Sequence, residues 1–291
     1  MALKRKTPQD VLFNIFNVGF MLLLCFVCLW PFVYILMLSL SSTSLLQYGI
    51  VPRNPSFNSY IRVMQTDFVV IGFFNTVQRT VIGTLLTVFI TICTAYPLSK
   101  RYFPNKSFWT GFIVFTMFFS GGLIPNYLLV RGLGLTNTVW AMVLPGLISS
   151  FNMLIMRNFF MSLPDALEES VKIDGGNDVL ILFVIVVPLS KAIIATILLW
   201  TAVGHWNAWF DCLIYINDYK KHVMQLVLRR VVIEGTAKYM EMSNPVNETF
   251  RLSPENIKAA TIMVTTLPIL ILYPFVQKYF VKGVMIGSLK G

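Results

Sequence analysis

Residues 12–40 read LFNIFNVGFMLLLCFVCLWPFVYILMLSL, a run that holds no Asp, Glu, Lys or Arg. At ~1.5 Å of rise per residue, about 20 apolar residues carry a helix across ~30 Å of hydrocarbon. This run is longer than that. It is apolar throughout and does not alternate with period two, which suits a helix and not a barrel strand. Lys4, Arg5 and Lys6 precede it, as they would a secretory signal. The run is, however, about twice the length of a signal's apolar region and has no small-residue cleavage site. A retained first span is the expectation. Similar stretches recur near 69–98, 107–130, 136–156, 179–203 and 259–277. The expected fold is therefore all-α: an integral membrane protein with about six transmembrane helices.

Composition agrees. Of the 291 residues 56% are hydrophobic and 12% charged, and mean hydropathy is +0.71. Soluble domains carry about 25% charged residues because water must wet their surface. The net charge of +10 invites a nucleic-acid reading, so the positions of the cations matter. Placing the N-terminus inside puts Lys4, Arg5, Lys6, Lys100, Arg101, Lys106, Arg157, Lys172, Lys278, Lys282 and Lys290 on the inner face. The short outer loops then hold Arg53, Arg62 and Arg131. This asymmetry reads as membrane topology and headgroup attraction, not nucleic-acid binding. An even number of spans leaves both termini cytoplasmic, in a multi-pass protein of the plasma membrane. Cys25 and Cys28 form a CxxC in mid-span, with no second pair and no nearby His. They read as small apolar residues, and no disulfide framework is expected.

Three regions are expected along the chain. Residues 1–68 would hold the cytoplasmic stub, the first span and an outer segment with turn chemistry at Pro52, Asn54 and Pro55. Residues 69–277 would form the transmembrane core, including a polar loop at 161–178 and an extracellular loop at 204–256. Residues 278–291 would form a cytoplasmic tail. Gly121-Gly122 and Pro145-Gly146 interrupt spans three and four, as a hinge or as sites of close packing.

One segment differs from the rest. From Ser162 to Asp178 the chain reads SLPDALEESVKIDGGND. Ser162 and Asp165 have the spacing of a capping box, and Pro164 suits a first turn. Gly175 and Gly176 suit a left-handed stop, and Asn177 or Asp178 suits the cap of the next helix. A helix of about three turns is expected. Leu163, Ala166, Leu167, Ser170, Val171 and Asp174 form a mostly apolar stripe. Asp165, Glu168, Glu169 and Lys172 lie elsewhere, with Glu168 four residues before Lys172. Helices that lie on lipid favour Lys and Arg on the polar face. An acidic one beside an anionic leaflet instead suits docking into a protein groove.

Glu168-Glu169-Ser170-Val171-Lys172-Ile173-Asp174-Gly175-Gly176, followed by Val187-Pro188-Leu189-Ser190, resembles the E-A-A…G…LP loop of binding-protein-dependent ABC importer permeases. Ser170 and Val171 stand for the two alanines, and Val187 precedes the proline. Phe119-Ser120-Gly121-Gly122-Leu123-Ile124-Pro125, Met156-Arg157-Asn158-Phe159-Phe160 and the tail from Gln277 resemble the carbohydrate branch, the maltose-type permeases of oligosaccharides. The resemblance implies a type I importer permease. In such a protein the 161–178 helix is a coupling helix seated in a cleft of a cytoplasmic ATPase. Leu163, Pro164, Asp165, Ala166, Leu167, Glu168, Glu169, Ser170, Asp174 and Gly175 would make that contact. It further implies a second related permease, two ATPase subunits and an extracellular solute-binding protein. This chain lacks GxxxxGK[ST], so ATP and Mg would be bound by the ATPase partner, and this chain would hold no cofactor.

No catalytic or metal constellation is visible in the sequence, so a transport subunit is expected and not an enzyme. His205 and His222 both fall in the outer loop, away from any metal-ligand pattern. Asn75, Asn152, Trp206 and Asn207 are candidates for the substrate path, as partners for sugar hydroxyls or rings. The alternatives are inter-helix hydrogen bonds and interfacial anchoring. Arg79 and Lys191 lie at membrane depth, where a charge costs about +2.5–3.5 kcal/mol at a helix centre; each lines a path or makes a structural ion pair. Arg229 and Arg230 are placed to touch a binding protein or water. The function expected is the permease half of an ATP-driven sugar importer. The rival is a secondary transporter driven by an ion gradient, which would need acidic residues near the midplane; the spans hold essentially none.

Overall fold

A computed structural model describes residues 8–42, 52, 55–233 and 253–288, without the side chains of 272, 273 and 275–288. Lys4–Lys6, Arg53, Asn54, the loop 234–252, Lys290 and Gly291 lie outside it, as do the side chains of Lys278 and Lys282. The chain divides into two compact units, residues 1–66 with 230–266 and residues 67–229 with 267–291.

In the first unit α1 (Pro8–Ser39) is charge-free beyond Asp10, and none of its most apolar stretch is buried within the chain. Such a helix needs lipid or other protein around it. Its end is tied down by polar contacts. Ser39 Oγ lies 2.6 Å from the Tyr60 hydroxyl on α2 (Asn58–Met64), and Asn256 Nδ2 donates to the Ser41 carbonyl at 2.6 Å. Asn256 opens the long helix Pro254–Ser288, which contains the sixth apolar stretch.

The second unit is built around α3 (Asp67–Ser99), like α1 an unbroken helix long and apolar enough to cross a membrane. Three further apolar stretches are bent pairs. α4 (Lys106–Phe118) meets α5 (Leu123–Gly132) at 111°. The break is at Gly121-Gly122, where Gly122 has φ +87° and Pro125 sits in the first turn of α5. α6 (Val139–Val143) runs through a tight turn at Leu144–Gly146, and that piece meets α7 (Ser150–Met161) at 54°. Both breaks fall where the glycines and prolines were expected to interrupt the pattern.

Span five departs from expectation. It is bent by 83° between Asp178–Leu189 and Lys191–Asn207. Before the bend, Ile181–Val186 form a wide π turn. Pro188 follows it, with no N–H to give and a ring that crowds the preceding turn. Helical periodicity does not register such a bulge, because every residue around it is apolar. Counting each bent pair as one span gives up to five candidate spans among the described residues.

α3 carries the core. Val88, Ile92, Ala95, Tyr96 and Leu98 pack with Met153, Met156 and Phe160 of α7, with Ile181, Leu182 and Val186, and with Ile197 of Lys191–Asn207. Higher on α3, Gly83 lies so close to the His205 ring that a Cβ there would sit 2.4 Å from Nε2. His205 thus belongs to the last turn of Lys191–Asn207 and not, as expected, to the outer loop.

Arg79 is 2% exposed and makes the structural ion pair. Its Nη1 donates to Asp211 Oδ1 at 3.0 Å and to the Ala208 carbonyl at 3.2 Å, and its Nη2 donates to Asp211 Oδ2 and to the Met142 carbonyl at 3.3 Å. One guanidinium fork thereby joins α3, α6 and the segment that starts the short helix Phe210–Tyr215. Lys191, by contrast, is exposed at the bend. Removing one member of a buried pair leaves the other charge unmatched, at a cost of about 3–5 kcal/mol. Asp211→Ala should lower the thermal unfolding midpoint in detergent far more than Asp174→Ala, at an exposed position.

Candidate functional site

The segment between α7 and the π turn folds as a short helix, α8 (Ala166–Ile173), of eight residues and not three full turns. Its start is not a capping box. Ser162 ends α7 instead, and its hydroxyl donates back to the Phe159 carbonyl at 2.7 Å. Asp165 stands at the N-cap in helical conformation with no side-chain cap bond. The stop is as expected at Gly175, whose φ of +81° a residue with a Cβ adopts at a cost. Gly176 serves differently: a Cβ there would meet Val171 Cγ1 at 2.4 Å. Asn177 then caps the next helix, its Oδ1 accepting from the Leu180 N–H at 2.9 Å.

The faces of α8 differ from the expected stripe. Leu163 and Val171 turn inward onto the α3–α7 core. Glu168, expected on the polar face, is 8% exposed and pairs with Lys100 at the end of α3. Lys100 Nζ also lies 4.6 Å from the Tyr96 ring centre. The expected Glu168–Lys172 pair does not form. Lys172 reaches Asp178 Oδ1 at 3.3 Å and covers the Tyr102 ring, whose hydroxyl donates to the same carboxylate at 2.8 Å. The Tyr102 hydroxyl first, and then Asp178, raise the Lys172 ammonium above its usual range, so it stays protonated at any physiological pH.

Pro164, Asp165, Ala166, Leu167, Glu169, Ser170, Asp174 and Gly175 remain exposed. Ile173 joins them and is 85% exposed, a residue the stripe reading left out. Counting from Ala166 through Ser170 to Ile173 at i, i+4, i+7 would have found it. The result is a small apolar surface, Ala166, Leu167 and Ile173, edged by the acids Asp165, Glu169 and Asp174.

The four candidate path residues separate. Asn75 is engaged: its Nδ2 donates to the Lys220 and His222 carbonyls, each at 3.0 Å. Trp206 is buried edge-on against Phe73. Asn207 Oδ1 accepts from Gln225 at 3.4 Å. Asn75 thus holds the segment 220–222 to α3, while Trp206 and Asn207 tie the end of Lys191–Asn207 to α3 and to Gln225. Asn152 lies elsewhere, in the first turn of α7, where its backbone N–H donates to Ser149 Oγ at 3.3 Å. Trp209 stacks under Arg229, whose Cζ is 3.8 Å from the ring centre, so Arg229 is held in place rather than fully solvated. His222 is buried, with Nε2 3.3 Å from the Ile216 carbonyl. Among the described residues no group of three His, Cys, Asp or Glu could hold a metal ion.

No protein-family model matches the chain. It is 40% identical over 289 residues to the polygalacturonan/rhamnogalacturonan transport system permease protein YtcP of Bacillus subtilis, covering 97% of this chain and 100% of that one. The protein LplC of the same organism is also 40% identical over 289 residues, covering 98% and 97%. Among solved structures, a chain of a bacterial ABC transporter that imports the acidic polysaccharide alginate superposes with a TM-score of 0.86. It is 30% identical and matches 94% of this chain and 98% of its own length.

A residue that must take φ +81° with a Cβ is strained by about 1–2 kcal/mol. Gly176→Ala carries no such strain but must displace the Val171 side chain and carbonyl, and should do more than Gly175→Ala. Limited proteolysis of purified protein should show faster cleavage within 165–178 for both, in that order.

Proposed function

The chain belongs to the permeases of carbohydrate ABC transport systems, and we propose that it forms one half of the translocation path of an importer fed by an extracellular binding protein. It is a transport subunit, not an enzyme. In this reading a second, related permease supplies the other half, and two ATPase subunits supply the energy and bind ATP and Mg. α8 is then the coupling helix on the cytoplasmic side, with both termini on that side.

One observation carries the coupling role. α8 leaves Leu167 and Ile173 open to solvent while Glu168, a charged residue, is buried against its own chain. A helix that only needed to pack on α7 and the π turn would do the reverse. An exposed apolar surface edged with acids fits a protein cleft with cationic walls better than an anionic leaflet. Asp165, Glu169 and Asp174 would meet those cations, and Gly175 would fix the angle at which the helix is presented. Full-length similarity to permeases supports the same reading over an ion-driven transporter.

We place the cargo among oligosaccharides that bear uronic acids. Supporting this, one relative at 40% identity is named for polygalacturonan/rhamnogalacturonan and a structure at 30% for alginate. Asn75, Trp206 and Asn207, being engaged with neighbouring elements, would shape the outer end of the path rather than grip sugar. Asn152 would be the candidate nearest to a direct contact.

Burying an Ile side chain contributes about 2 kcal/mol, and a charge in its place costs more. Ile173→Asp should therefore weaken association with the ATPase by at least about tenfold, with the permease's own unfolding midpoint unchanged. Unchanged co-purification of the ATPase would remove α8 from the coupling role. For the cargo, proteoliposomes holding the whole importer and its binding protein should take up a trigalacturonate in preference to maltotriose. Equal or reversed uptake would reject the uronate assignment.

A further inference from the structure

Two ion pairs with buried cations involve α3, one more than three turns into the helix and one directly after it. Arg79 holds Asp211, Ala208 and Met142; Lys100, directly after the helix, holds Glu168 of α8. Twenty-one residues separate them, which is about 31 Å of helix. That matches the ~30 Å hydrocarbon core of a bilayer. Between the two the helix carries no Asp, Glu, Lys or Arg. Its one proline, Pro97, falls in the last turn, and the helix runs unbroken from Arg79 to Ser99.

The Lys100 pair joins α3 to an element that is otherwise mostly exposed, and the Arg79 pair joins it to elements packed together through Met142 and Cys212. α8 is exposed along most of its length, and its descending connection runs through Gly175, a wide π turn and an 83° bend. Such a route is a poor conductor of displacement, because each break can absorb a rotation. α3 is unbroken over the same depth and touches α8 through a buried charge. At the other end, the Arg79 fork reaches two backbone carbonyls as well as a carboxylate, so it holds main chain and not merely a side chain.

We infer that the stretch of α3 from Arg79 to Lys100 is the strut that carries movement of α8 to the segment 208–211 and α6, with those two as positioning residues. This rests on the importer reading given above. It assigns the transmission to α3 and not to the bent fifth span. Neither residue needs to touch ATP or sugar. Lys100 makes α3 follow α8, and Arg79 makes the far elements follow α3.

The test uses the complete importer, with partner permease, ATPase and binding protein, in proteoliposomes. The readout is ATP hydrolysed per saccharide imported, beside the thermal unfolding midpoint. Lys100→Met should raise that ratio about tenfold, within the usual range for coupling between sites. Lys100→Arg should stay within about twofold, since it keeps the charge. The exchange K100E/E168K should recover most of the coupling if it folds, and the Lys100→Arg comparison decides the matter if it does not. Arg79→Lys keeps a charge but loses the fork, and should also raise the ratio. The double variant R79K/K100M should be no worse in ratio than the worse single, because both cut one strut, while the losses in midpoint add, as they do for sites this far apart. A wild-type ratio in Lys100→Met overturns the inference, and so does a double variant whose ratio is the product of the singles. Absence of ATP-dependent uptake in the wild-type complex would instead count against the importer reading.

Discussion

The ion pair between Lys100 and Glu168 sets the arrangement of everything around α8. A buried charge is tolerated only when matched, so Lys100 at the end of α3 must be met. It is met by Glu168, with α8 turned so that this carboxylate faces the protein. That rotation then decides the rest. Val171 falls onto the α3–α7 core beside Leu163, and Ile173 and Leu167 are driven outward. Lys172 is carried round to Asp178 and Tyr102. An apolar surface is left open because the inward positions of α8 are taken by Val171 and by the Glu168 carboxylate.

This also explains which parts of the molecule could be read from its residues. Charge-free runs of membrane length, the glycine breaks at Gly121-Gly122 and the stop at Gly175 are local properties, and local chemistry suffices to place them. The short helix was legible for the same reason, from Pro164 to the Asn177 cap. Its orientation was not. Seen along the sequence, Glu168 has a partner four residues on, Lys172, and the helix offers a tidy apolar stripe. The actual partner lies sixty-eight positions away, and no spacing rule reaches that far. The same distance effect hid the role of Arg79, whose carboxylate is 132 positions along. It hid that of Asn75 too, which holds carbonyls of the 220–222 segment.

The bend in span five illustrates another kind of silence. Periodicity reveals a helix by contrast between faces, and a stretch such as Ile181–Val186 has none. Only Pro188 hinted that the path was not straight. A capping box at Ser162 failed for the opposite reason: the hydroxyl had a nearer acceptor in the turn it closes, the Phe159 carbonyl.

The π turn has one more effect. A wide turn stores one residue beyond the regular count, so the helix on its two sides is out of phase by about 100°, the angle one residue subtends. Asn177 and Asp178, and with them the stop that ends α8, owe their azimuth to that stored residue. Losing a single residue anywhere in 181–186 would let an ordinary helix form and would still leave every apolar side chain in lipid or core. It would nevertheless wind the polar segment about a quarter-turn away from Lys100. In this stretch the number of residues carries information that their identities do not.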